Sequence, residues 1–161
     1  MSLHGAGTTW AVGIANQLHL QTFPLHAEQI LTAAGLYQGF FSVVSPALSR
    51  WLVPKTYINL PKKSQVDWDA RLVGFVQAAF ISYQALNVIF RDPSRPDATA
   101  QQRLWGYSSQ AGKVQAYAAG YFLWDLYICT RYMAESGPSL AVHAFCGLLI
   151  TMLGFVRGLP I

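Results

Sequence analysis

Charged side chains are scarce in this chain. Asp, Glu, Lys and Arg together supply 11% of its 161 residues, where a soluble domain carries about 25%. So few charges cannot coat a water-facing surface of this size, and hydrophobic residues make up 53% of the chain. A freely soluble globular enzyme is excluded, and a lipid bilayer is the simplest solvent for such a composition. Basic residues are missing altogether before Arg50, and the apolar stretch from Trp10 to Ala15 is short. Neither a secretory signal nor an Arg-rich transit peptide is therefore visible. Cysteine is reduced to Cys129 and Cys146, each inside an apolar run, which points to two small buried hydrophobes and not to a disulfide framework. Phosphate-cradling glycine loops, a nucleophile elbow and a paired His-Glu zinc helix are all absent. His143 and Cys146 lie three apart on one helix face, but two ligands do not make a zinc site. No metal and no cofactor is expected.

What is present is a set of long uncharged windows. A membrane span needs about 20 residues with few or no charges. QILTAAGLYQGFFSVVSPALS over 29–49, LVGFVQAAFISYQALNVIF over 72–90 and SGPSLAVHAFCGLLITMLGFV over 136–156 meet that requirement. A further window, 114–132, contains Asp125. That carboxylate costs about 2.5–3.5 kcal/mol at a helix centre, while each Leu, Ile, Phe or Val returns only about 0.3–0.6. This helix must be held by its neighbours, and Ala116 and Gly120, four apart, offer the small face that allows close approach. The expected fold is all-α, a polytopic transmembrane bundle of about four spanning helices over 29–161, preceded by an N-terminal tail over 1–28. Pro46 is expected to kink the first span, with Ser45 compensating for the lost backbone bond.

The connections at 54–70 and 91–113 are polar and read as interhelical loops, and Trp51, Trp68 and Trp105 mark the water–lipid boundary. The net charge of +4 reflects eleven Lys and Arg against seven Asp and Glu, the basic residues lying almost entirely between the apolar runs, where they can meet anionic head groups. Nucleic acid is not an expected partner. The first span usually dominates orientation, so the expected topology has a non-cytoplasmic N-terminus and a cytoplasmic Lys62-Lys63 loop.

Ionisable residues inside a span are functional candidates by default. Asp125 and His143 are the two that qualify. A short turn near Ala134 and Glu135 makes the third and fourth spans antiparallel neighbours, with each residue nine positions from Ala134. At 1.5 Å per residue both lie about 13 Å from the turn, so the expected site is an intramembrane polar pair. The competing reading is that each merely fixes helix packing. Tyr117, Tyr121, Trp124, Tyr127 and Tyr132 read as packing and interface anchors.

Several of these residues also carry a resemblance. Trp105-Gly106-Tyr107-Ser108, then Ala118-Ala119-Gly120-Tyr121-Phe122-Leu123-Trp124-Asp125-Leu126, and His143 opening an apolar helix, resemble the TLC-domain family that includes the ceramide synthases. The segment from Asp67-Trp68 through Asn87 and Asp92 is similar as well, so the likeness covers about 50–158. It implies a partial TLC-type helix barrel in the endoplasmic reticulum or a connected membrane, concerned with lipid synthesis, transport or sensing. Its partners would be membrane lipid and, for an acyltransferase, fatty acyl-CoA and a sphingoid base. Two departures count against the catalytic form. Val142-His143 stands where the synthases carry adjacent histidines, and the chain stops at Pro160-Ile161 where that domain normally continues through further spans, so the expectation is a truncated gene model, a fragment or a reduced member. The expected function is lipid binding or sensing in membrane-lipid homeostasis. The alternative is acyl-CoA-dependent N-acyl transfer with His143 as general base and Asp125 orienting it; a transporter or channel subunit would need a richer polar pathway.

Overall fold

Backbone amides placed in lipid can bond only to one another, so apolar runs of this length must coil. The structure, a computed structural model, describes residues 4–91 and 108–156, and helix is the regular secondary structure found among them. In chain order the helices are α1 (His4–Leu18), α2 (Phe23–Gly39), a π-helical turn (Phe40–Val44), α3 (Ser45–Leu52), α4 (Pro54–Ile58), α5 (Lys62–Arg91), α6 (Ser109–Arg131), α7 (Met133–Ser136) and α8 (Pro138–Leu153). The chain is an all-α membrane-type bundle.

α2, the π turn and α3 run on as one 30-residue rod, Phe23–Leu52, and α5 is equally long; both are long and apolar enough to cross a membrane. Each is about 45 Å long at 1.5 Å per residue, against a hydrocarbon core of about 30 Å. The rod begins six residues before the expected 29, and α5 ten before the expected 72. Charges mark where lipid ends, not where a helix ends, and the polar first turns of α5 stand beyond the lipid. The segment 54–70, expected to be a loop, is accordingly α4 and the start of α5. α8 is shorter, 16 residues against the expected 136–156. It closes at Gly154, and Phe155 turns back to accept two bonds from Thr22, from its backbone N–H and from its hydroxyl, both at 3.2 Å.

The first 28 residues, expected as a tail, supply α1 and the first turns of α2. α1 ends at His19, whose φ of 55° is left-handed, and the Leu20 amide reaches back to the Ala15 carbonyl at 3.0 Å, a Schellman-type stop. That corner buries Ala11, Ala15, Leu20 and Phe23 with Ala27, Ile30, Ala116, Ala119 and Phe155.

α6 is the centre of the bundle, with its largest interfaces against α2 and α8. The small face read from Ala116 and Gly120 lies against α2: a Cβ added to Gly120 would sit 2.6 Å from the Ile30 carbonyl oxygen. This packing holds the helix that Asp125 makes costly to insert. The outer faces remain apolar, with Leu36, Val43, Phe75, Phe90, Val142 and Ile150 exposed, as lipid requires. α6 starts at Ser109, capped by the Ser108 hydroxyl, so Lys113 belongs to the helix. Arg91 closes α5, and residues 92–107 of the expected 91–113 loop, with Trp105, lie outside the described residues. Cys129 is buried as expected, but Cys146 is exposed on the outer face of α8.

The kink near Pro46 takes a different form from the one expected. The chain widens one turn early, where the Ser45 amide bonds the Phe40 carbonyl. Ser45 does not spend its hydroxyl on the helix; it donates to Asp69 at 2.6 Å.

Candidate functional site in the bundle

α6 and α8 are joined by α7 and by Gly137, whose φ of 82° takes the sharp turn into Pro138. They pack antiparallel in an even register: Cys129 beside Ala141 and Ala144, Phe122 over Gly147, and Gln115 donating to the Thr151 carbonyl at 2.8 Å. This register sets Asp125 level with His143. The two lie within electrostatic reach, yet no hydrogen bond joins them. Asp125 Oδ1 instead accepts from the Cys129 thiol one turn on, at 3.7 Å. His143 is exposed, with the edge of its ring against Phe122 at 6.3 Å between centroids.

Behind Asp125 lies a polar and aromatic interior that a search for charges passes over. Gln77, buried in the middle of α5, accepts from the Tyr37 hydroxyl. Trp124 Nε1 donates to Gln38 at 3.1 Å, and Gln38 donates to Ser42 at 2.7 Å. Tyr37, Tyr121, Trp124 and Phe41 stack edge to face or tilted at 5.6–6.2 Å. Of the aromatics read from the sequence, Tyr121 and Trp124 belong to this cluster and Tyr117 packs on Phe80 at 5.1 Å. Tyr127 is exposed, and Arg131 covers the Tyr132 ring at 5.5 Å.

A second polar centre sits at the end of the bundle where α3, α4 and α5 meet. Asp69 is only 5% exposed, and each of its oxygens is bonded: Oδ1 by the Ser45 hydroxyl at 2.6 Å and Oδ2 by the Tyr57 hydroxyl at 2.7 Å. One turn away Trp68 Nε1 donates to Ser49 at 2.9 Å. These bonds clamp α3 and α4 on α5. Burial, then the Asp69 carboxylate, pushes the Tyr57 phenol up to about 12, against a smaller opposing effect of Arg50. Sequence reading missed Asp69 because it lies among charged neighbours just outside a span. Gln77 and Gln38 carry no charge and so interrupted no window.

Two cavities flank α3. One, of about 380 Å³, opens between α3 and α5 and is almost wholly apolar, lined by Leu48, Leu52, Val53, Leu72 and Phe75 together with Ser49, Trp68 and Arg71. The other, of about 480 Å³, lies beside the π turn and is lined by both apolar and charged groups.

The TLC-domain family model matches residues 67–160. Among curated proteins the chain is 35% identical over 136 residues to a TLC domain-containing protein of Schizosaccharomyces pombe, covering 84% of this chain and 44% of that one. It is 26% identical over 160 residues to topoisomerase I damage affected protein 4 of Saccharomyces cerevisiae, covering 94% and 55%. A third relative, TLC domain-containing protein 4 C of Dictyostelium discoideum, is 28% identical over 98 residues, covering 60% and 34%. The chain thus spans about half the length of the first two relatives. No solved structure matches it. With its apolar helices and the matched domain together, this chain is a membrane protein and belongs to the TLC-domain family.

Proposed function

We propose that this protein binds membrane lipid within its helix bundle and serves membrane-lipid homeostasis, in the endoplasmic reticulum or a connected membrane. The observation that carries this reading is the apolar cavity between α3 and α5. Its walls are Leu48, Leu52, Leu72 and Phe75, which suit an acyl chain by the same burial of apolar surface that holds a core together. Arg71 and Trp68 in the same lining suit the head-group level. Photo-crosslinking with a diazirine-bearing phosphatidylcholine tests it. Label should concentrate on peptides containing residues 48–53 and 71–75, above the level on Leu36 or Phe90, which are exposed on outer faces of the bundle. Even labelling of all outer faces would sink the reading.

A second reading, acyl-CoA-dependent N-acyl transfer, is favoured by one observation, the level placement of Asp125 and His143. In it the imidazole takes the proton of an amine nucleophile such as a sphingoid base, and the carboxylate steadies the imidazolium that forms. Turnover of acyl-CoA and a sphingoid base by the purified protein, lost in His143→Gln, would establish it. Absence of turnover leaves the pair to helix packing.

A further inference from the structure

We infer that the cavity beside the π turn is a binding site for the phosphate head group of an anionic phospholipid, held between Arg50 and Lys62. The cavity is amphipathic. Phe41, Val43, Pro46 and Val66 form an apolar wall, while Arg50 from α3 and Lys62 from the first turn of α5 bring positive charge to it. Neither side chain makes a hydrogen bond or ion pair with protein among the described residues, and Arg50 lies within electrostatic reach of the Tyr57 phenol. The one acid in the lining, Asp69, is engaged through both oxygens by the Ser45 and Tyr57 hydroxyls, so the two cations outnumber it in the lining. The walls are built in advance. The Asp69 bonds fix α3 and α4 on one side, and Gln65 Nε2 donates to the carbonyls of Tyr57 at 3.2 Å and Leu60 at 3.1 Å, pinning the corner that carries Lys62. Such preorganisation lowers the ordering cost of binding. The cavity also sits at the right depth, because Trp51, largely exposed, and Trp68 lie at the same end of the bundle and mark the interface where phosphates reside. Charge and depth together select an anionic lipid over a zwitterionic one, whose choline would carry a positive group to the same two cations. The proposal extends the lipid-binding reading, but it concerns the opposite side of α3 from the acyl cavity.

Native mass spectrometry of the purified chain with equal amounts of phosphatidate and phosphatidylcholine of matched acyl chains tests this site. Each cation at head-group level is worth about fivefold in affinity, so the pair should favour phosphatidate by about 25-fold. Arg50→Gln with Lys62→Gln should bring the ratio towards one, and Ala47→Trp, which fills the cavity without changing charge, should lower it too. Lys55→Gln with Lys63→Gln removes the same charge from the same end and should leave the ratio unchanged; an equal fall there would mean diffuse surface attraction and overturn the site. Displacement of phosphatidate by millimolar inorganic phosphate would overturn a lipid source in favour of a free anion. Phe75→Trp separates the two cavities: it should reduce acyl labelling at 71–75 and spare the phosphatidate preference. Labelling left unchanged by Phe75→Trp refutes the acyl cavity and leaves the phosphatidate preference to test the head-group site, whereas a fall in that preference in Phe75→Trp refutes a separate head-group site.

Discussion

Gly120→Ala pits two effects of opposite sign against each other. Intrinsic helix propensity favours Ala over Gly by about 1 kcal/mol, so a helix with free space at that position would gain. At Gly120 there is none: the new methyl would lie 2.6 Å from the Ile30 carbonyl oxygen and 2.7 Å from the Ala33 Cβ. Those atoms are backbone or one bond from it, so α2 itself must move, and overpacking of this kind costs about 1–3 kcal/mol. The expected net result is a loss of up to about 2 kcal/mol. Gly35 provides the internal comparison, because nothing lies within 4 Å of a Cβ built there. Gly35→Ala should be neutral or gain up to about 1 kcal/mol. Unfolding of both variants in mild detergent, followed by helical circular dichroism, measures the difference. A Gly120→Ala protein as stable as Gly35→Ala, whether both gain or both are weakened, would refute the close α2–α6 packing on which the bundle is built.

Asp69→Ala strands two buried hydroxyl donors, each costing about 1–3 kcal/mol, and should lower detergent stability by about 2–6 kcal/mol; Asp69→Asn, which keeps one acceptor, should cost about half, and equal effects would argue against a doubly bonded carboxylate. The phenol of Tyr57 is raised from 10.0 to about 12 in the folded protein, so its contribution to stability is complete below pH 10 and lost as pH rises through about 12. Phenolate absorbance of wild type minus Tyr57→Phe should show this late step, whereas a step near 10 would contradict the burial. Asp125→Asn and His143→Gln should be non-additive in folded yield by about 0.5 kcal/mol or more; strict additivity would return both residues to independent packing roles. A reporter in the Lys55–Lys63 region and another placed between 92 and 103 should map to opposite sides of the membrane, since α5 crosses once; labelling on the same side would deny that crossing.

Much of this architecture is legible in the sequence because lipid imposes a simple rule: the windows 29–49, 72–90, 114–132 and 136–156 each overlap a helix of the bundle, of which Phe23–Leu52 and Lys62–Arg91 are long and apolar enough to cross a membrane. The small face of α6 was legible for a related reason: Ala116 and Gly120 recur at the spacing of one helix face, and a costly Asp125 demands close neighbours. The equal depth of Asp125 and His143 follows from a short connection and a constant rise per residue. Which way each side chain turns does not, and the structure gives the carboxylate to Cys129. The Asp69 centre was hidden for a different reason. Its partners Ser45 and Tyr57 lie 24 and 12 residues away, and only the fold-back of α3 and α4 on the polar start of α5 turns an ordinary interfacial acid into a buried one. Gln77 and Tyr37 meet across 40 residues, and neither departs from what an uncharged span contains.

Lipid stoichiometry of the protein purified in gentle detergent bears most directly on the proposed role. Extraction and mass spectrometry should return about one tightly held phospholipid or more per chain after extensive washing, reduced in Phe75→Trp and, for anionic species, in the Arg50→Gln and Lys62→Gln pair. A well-folded protein carrying only the trace lipid of a non-binding membrane control would contradict lipid binding within this bundle.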